Sequence, residues 1–149
     1  QGYCTTKTTG QVYGFGASSI SQLFSAYSQN VKNAAQYIKK INEKNTAVFR
    51  GHKLNKNEKI IRDVINSIMC NYYVNFVEIS QRFNTDVKNI KEILDFKVEK
   101  FNDFLNLDLM RIKNDTVSIS HDARLFIRNI AMEFDPLSNK KIGTYSKTI

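Results

Sequence analysis

Two cysteines, Cys4 and Cys70, in 149 residues are too few and too far apart for a disulfide framework. They also cannot form a metal knuckle, which needs thiolates paired at short fixed spacing. Cys70 falls on the apolar side of an expected helix and reads as a structural thiol. No run approaches the roughly 18 to 20 apolar residues of a membrane span. The N-terminus has neither the charged start nor the apolar stretch of a signal peptide, so a cytoplasmic protein is expected. No internal repeat is present, which excludes a repeat architecture. His52 and His121 stand apart from other ligand-type residues, and no metal site is expected on them.

What the chain does have is a globular composition, 42% hydrophobic with 11% aromatics, enough for one domain with a core and an appended piece. The net charge is +8 and it is concentrated. Between Val31 and Arg62 nine basic residues face only Glu43 and Glu58. Such a stripe attracts polyanions, whether nucleic acid, an acidic membrane or a substrate with several carboxylates; a solvated lysine-rich face is the plainer reading.

Residues 1–29 are rich in Gly, Ser and Thr and read as loop, short strand and loop. Gly14 and Gly16 would let a backbone approach a bound molecule closely, although Ser19 stands where a dinucleotide fingerprint has its third glycine. Asn30 to Asn45 reads as a helix capped by Asn30, and Ala47 to Leu54 as an extended connector. Asn55 with Glu58 three residues on predicts a capping box. The helix behind it carries Ile60, Ile61, Val64, Ile65, Ile68, Met69 and Tyr72 on one face. A short helix is expected from Phe76 to Phe83 behind Asn75, and a long one from Val87 to Leu105 behind Asp86. Leu109 to Ile112 and Val117 to Ser120 read as a hairpin turning at Asn114-Asp115. A last helix from Asp122 to Phe134, burying Phe126, Ile130 and Phe134, stops before Pro136. The fold class is therefore mainly α, a winged-helix-like arrangement of helices with a small hairpin.

Gln1-Gly2-Tyr3 with Thr5-Thr6, the run Tyr13-Gly14-Phe15-Gly16-Ala17-Ser18-Ser19-Ile20-Ser21, Arg62-Asp63-Val64-Ile65, Cys70-Asn71 and the run from Arg128 to Asp135 occur in a characteristic order. Together they resemble the C-terminal third of the oxygen-independent coproporphyrinogen III oxidases, the radical S-adenosylmethionine (SAM) dehydrogenases of haem synthesis. The resemblance implies that residues 1–29 are the edge of a barrel-like catalytic domain and residues 30–149 a C-terminal helical domain. It further implies that Gln1 and Ile20 border the pocket of a second SAM. A glutamine amide suits the polar amino-acid end of that ligand and a β-branched side chain its apolar part.

Candidate substrate contacts are Tyr3, Arg50 and Arg62. Tyr3 and Tyr13 carry phenols that either bond a propionate or cap a core edge. Arg50 and Arg62 either attract the propionates of coproporphyrinogen III through the planar guanidinium fork or make an interdomain salt bridge. The implied partners are the N-terminal radical SAM domain of the same chain, coproporphyrinogen III and an electron acceptor, with no membrane, no specific nucleic acid and a monomeric state. The implied cofactors, SAM and a 4Fe-4S cluster, belong to a longer protein. Such clusters are held by closely spaced thiolates, so none is expected on this chain alone. No catalytic residue is expected within it.

Two other readings compete. A winged-helix nucleic-acid module would place its basic side chains on the third helix and the hairpin, yet Asp86 to Leu105 holds four lysines against five acids. A related haem chaperone would share the fold; Gln1-Gly2-Tyr3 and the Arg128 to Asp135 run favour the oxidase.

Overall fold

A computed structural model of the chain describes residues 11–136. They divide into two compact units, one ending at Lys59 and the other beginning at Ile60. Gln29 and Asn30, on either side of the division that the resemblance implies, both lie in a strand of the first unit.

The first unit is built on a three-stranded antiparallel sheet, β1 (Ile20–Gln22), β2 (Ala26–Asn30) and β3 (Val48–Lys53), in the order β1-β2-β3. Helix α1 (Ala34–Lys44) joins β2 to β3. It starts three residues later than expected, because Asn33 and not Asn30 caps it: the Asn33 side chain accepts from the Gln36 N–H at 3.0 Å. Asn45, in the left-handed conformation, ends it. The expected connector is the strand β3, exposed along its whole length. Among the described residues of this unit, Val31, Ala47 and Leu54 are deeply buried.

The main core lies in the second unit. Helix α2 (Lys56–Asn71) begins at the expected capping box and buries Ile60, Val64 and Ile68 completely. Next come β4 (Tyr73–Asn75), α3 (Phe76–Phe83) and α4 (Val87–Ile93). Asn75 and Asp86 cap α3 and α4 through side-chain oxygens, as the sequence predicts. A short 3-10 turn, Val98–Phe101, leads into α5 (Asn102–Asn106). The hairpin β5 (Met110–Lys113) and β6 (Thr116–Ile119) turns on Asn114 and Asp115, whose φ values of 49° and 60° suit a two-residue loop. β4 pairs with β6, so the sheet runs β4-β6-β5, a third strand that no sequence pattern announced.

Two expected helices are not continuous. The Val87 to Leu105 helix stops at Ile93, because Asp95 adopts a left-handed φ of 45°. There the Phe96 N–H donates to the Lys91 carbonyl and the Asp95 N–H to that of Glu92, a Schellman closure. A continued helix would carry Phe96 away from the side of Ile90 and Leu94; the closure brings it into a ring cluster with Phe76, Phe101 and Phe134. The final helix divides into a 3-10 turn, Asp122–Phe126, and α6 (Ile127–Met132). Its buried stripe is Ala123, Ile130, Ala131 and Phe134; Phe126 sits at the stripe's edge and is half exposed, contrary to expectation.

Candidate functional site

Of the candidate residues that can be described, Tyr13, Ile20 and Arg50 lie in the first unit and Arg62 in the second. Gln1 and Tyr3 lie outside the described residues, as does Cys4. Ile20 opens β1, 43% exposed, and its position is set by the loop before it. Asn30 serves that loop: its amide lies 3.3 Å from the Gly14 carbonyl, 3.1 Å from that of Gly16 and 3.0 Å from the Ser19 hydroxyl. Ser19 donates to the Gly16 carbonyl at 2.7 Å, the Gly16 N–H donates to the Tyr37 hydroxyl at 3.1 Å and the Gly14 N–H to the Ser21 hydroxyl at 3.0 Å. A side chain read as a helix cap is thus a staple for the Gly-Phe-Gly loop.

The two glycines act differently. A Cβ on Gly14 would lie 2.7 Å from the Ile20 carbonyl oxygen and 2.8 Å from its carbon, so the backbone that comes close there is Ile20 itself. Gly16 has a φ of +94° and open space around it; its requirement is conformational.

Strand register sets Ile20 opposite Gln29 and Gln29 opposite Arg50. Paired positions of an antiparallel ladder share a face, so the three side chains form one row. Gln29 Oε1 accepts from Arg50 Nε at 2.9 Å, and Gln29 Nε2 donates to the Ser18 carbonyl at 3.2 Å. In the next row on that face, His52 stands opposite Tyr27 and Tyr27 opposite Gln22. His52 Nε2 lies 2.8 Å from Glu58 Oε1. The Asn55 N–H, donating to the other Glu58 oxygen, and then His52 hold that carboxyl below its ordinary range. Tyr13 is 63% exposed.

Arg62 belongs to the second unit, half-buried on α2. Its neighbour Asp63 pairs with Arg82 of α3 inside that unit, and Arg128 and Asn129 are exposed on α6. His121 immediately precedes the 3-10 turn, exposed, 3.6 Å from Asp122. A surface cavity of about 630 Å³ lies between α4 and the hairpin turn, lined by Lys88, Lys91, Glu92, Asp95, Lys97 and Asp115 among others. Lys91 Nζ reaches Asp115 Oδ1 at 2.5 Å across it, and Lys100, then Lys97, hold the Asp95 carboxyl below its ordinary range. Cys70 is half-buried and not in a disulfide. Among the described residues no group of three or more His, Cys, Asp or Glu could hold a metal ion, and no helix is long and apolar enough to cross a membrane.

The chain is 31% identical over 144 residues to the oxygen-independent coproporphyrinogen III oxidase of Escherichia coli K12, covering 95% of this chain and 30% of that protein. It is 32% identical over 135 residues to the anaerobic coproporphyrinogen III oxidase 1 of Cereibacter sphaeroides, covering 91% and 29%. A solved structure of coproporphyrinogen III oxidase from Escherichia coli, described as a radical SAM enzyme, superposes with a TM-score of 0.74 at 29% identity, over 89% of this chain and 30% of that one. The chain matches the C-terminal part of the oxygen-independent coproporphyrinogen III oxidases. No family model matches it. The chain spans about 30% of the length of these oxidases, and the order of motifs from Tyr13 to Asp135 that resembles the family lies within the matched region.

Proposed function

We propose that this chain is the C-terminal part of an enzyme that converts two propionates of coproporphyrinogen III to vinyl groups with loss of carbon dioxide. Within it, the chain supplies one wall of a second SAM pocket and a cover over the substrate cavity. The observation that carries this reading is the superposition on a radical SAM coproporphyrinogen III oxidase at a TM-score of 0.74 over 89% of the chain.

The residues present fit an apolar contact to SAM. Ile20 is β-branched, exposed enough to touch a ligand, and held on a strand whose approach loop is fixed by Asn30. Gln1 is proposed for the polar end of the same ligand. The bound SAM and the cluster of the longer protein supply the oxidising chemistry. The residues of this chain bind, orient and exclude water, and its two cysteines ligate no cluster. In this reading residues 1–29 are the edge of the catalytic domain. Residues 30–149 contribute the C-terminal domain, the electron acceptor is a separate partner, and the protein is a cytoplasmic monomer.

The order α2-β4-α3-α4-β5-β6, with β4 beside β6, supports a winged-helix-like description of the second unit. It does not support a nucleic-acid reader. Lys91, the basic side chain that α4 turns toward the hairpin, is paired with Asp115 at the hairpin's own turn, and the basic surplus lies between Val31 and Arg62.

The test uses the full-length protein with Gln1→Ala and Ile20→Ala. Each is expected to retain iron content and folding while protoporphyrinogen IX formation falls by roughly a hundredfold, the scale of a misplaced reactant. Near-normal turnover in both would remove the second-SAM assignment.

A further inference from the structure

We infer that Arg50 is a carboxylate-binding residue, aimed by Gln29 and set in one row with Ile20, on the far side of Gln29, on one face of the first unit's sheet. The inference rests on the reading above that Ile20 borders a ligand pocket.

A guanidinium offers a carboxylate two bidentate edges, one made by Nε with an Nη and one by the two Nη groups. Gln29 occupies Nε at 2.9 Å, which leaves the Nη edge. The other end of the Gln29 amide donates to the Ser18 carbonyl, and Ser18 has a left-handed φ of 62°. Both halves of the amide are therefore used, and the guanidinium plane is held from the loop that delivers Ile20.

The identity of the holding residue matters. A glutamine fixes the geometry and leaves the positive charge intact, whereas a carboxylate in its place would neutralise it. The described part of this unit has two acids, and both are engaged elsewhere: Glu58 with Asn55 and His52, Glu43 beside Lys39 at 3.9 Å. Among the described residues no carboxylate pairs with Arg50, which is exposed on β3. A fixed, un-neutralised fork two strand spacings, about 10 Å, from an exposed aliphatic side chain in the same row suits a carboxylate on a molecule with an apolar body long enough to span Gln29. The propionate of a tetrapyrrole and the amino-acid carboxylate of SAM share that chemistry.

The experiment titrates the full-length protein with coproporphyrin III and, separately, with S-adenosylhomocysteine, while turnover of coproporphyrinogen III by the unsubstituted protein is followed in parallel. Arg50→Gln is expected to weaken one of the two ligands about tenfold or more, the scale of a lost charge-assisted bond, and the ligand affected identifies the source of the carboxylate. Arg50→Lys should recover little, since an ammonium lacks the fork. Lys39→Gln, the same change of charge in α1, should leave both affinities unchanged.

Gln29→Glu separates a positioning role from a structural one. It turns the bond to Arg50 into an ion pair and gives up the donation to the Ser18 carbonyl, so a purely structural Gln29 predicts a changed melting temperature at unchanged affinity; the inference predicts weakened binding, because the fork is neutralised. Unchanged affinity for both ligands in Arg50→Gln, or in Gln29→Glu, would overturn it. Absence of turnover in the unsubstituted protein sinks the proposed function instead, and absence of binding to either ligand sinks both.

Discussion

Asn55 and Glu58 cap each other: the Asn55 side chain accepts from the Glu58 N–H at 2.9 Å, and the Glu58 carboxylate accepts from the Asn55 N–H at 2.8 Å. The same carboxylate takes the His52 ring nitrogen at 2.8 Å, so β3 is tied to the start of α2 through one acid.

That tie makes stability depend on acid. The Glu58 carboxyl is held below its ordinary range by the Asn55 N–H and by His52, so the unfolded chain binds its proton first as pH falls. The contribution is fully present above about pH 4.3, the unfolded value, and is lost as pH drops through the lower folded value. Asp95, held down by Lys100 and Lys97, adds in the same direction. Melting temperature followed from pH 6 to about pH 3 should fall less steeply in Glu58→Gln than in the unsubstituted chain. Parallel curves would show that the bond is not made in solution.

Phe134 and Phe126 were equivalent by spacing but are not by environment. Phe134 is fully buried, its ring centroid 4.7 Å from that of Phe101 and 5.8 Å from that of Phe96, while Phe126 is half exposed. Phe134→Ala should cost about 3 to 5 kcal/mol in denaturant unfolding. Phe126→Ala should cost under about 1 kcal/mol. Equal losses would place Phe126 in the core after all.

Gly14→Ala drives a methyl into the Ile20 backbone, whose carbonyl oxygen would stand 2.7 Å away. The expected result is a shifted β1 and, in the full-length protein, reduced protoporphyrinogen IX formation with iron content retained. Gly16→Ala meets no atom but must hold a φ of +94°, so its loss should appear in melting temperature, on the order of 1 kcal/mol. Normal turnover in Gly14→Ala would mean that Ile20 need not be placed accurately.

Anaerobic reconstitution of this chain with iron and sulfide should leave it colourless, because clusters need closely spaced thiolates. About four irons per chain in a stable brown product would contradict that.

Duplex DNA should bind weakly through the basic surplus, without sequence preference and with affinity falling steeply as salt rises. A duplex bound about a thousandfold better than its scrambled counterpart at physiological salt would favour the nucleic-acid reading.

The starts of α2, α3 and α4 were legible in the chain, because a cap is a local bond: Asn55, Asn75 and Asp86 each reach an N–H two or three residues ahead. The stripe from Ile60 to Met69 was legible for a related reason, since helical periodicity alone puts those side chains on one face; Tyr72, read with them, lies past the end of α2 with a left-handed φ of 59°. Helix ends were legible for α1 and α3, which stop at Asn45 and Phe83 as expected, but not for the long helix. The left-handed residues that close α4 and α5 are Asp95 and Asp108, not glycines. An Asp that ends a helix looks in sequence like one that continues it; the aromatic cluster that receives Phe96 and the lysines that receive Asp95 decide the matter.

The candidate site divides in the same way. Residue type singles out Ile20 and Arg50, one by the resemblance and one by its planar charge. Their placement in a single row depends on Gln29, which sits between them only because β1, β2 and β3 pair in one register. Asn30, indistinguishable in sequence from the true cap Asn33, holds the glycine loop because that loop folds back over the end of β2. The sequence by itself determined the local bonds, the apolar stripes and the charge. Which distant strands meet, and so which polar side chains share a face, is set by tertiary packing, since a side chain's partner across a sheet is separated from it by a chain length that no local periodicity records.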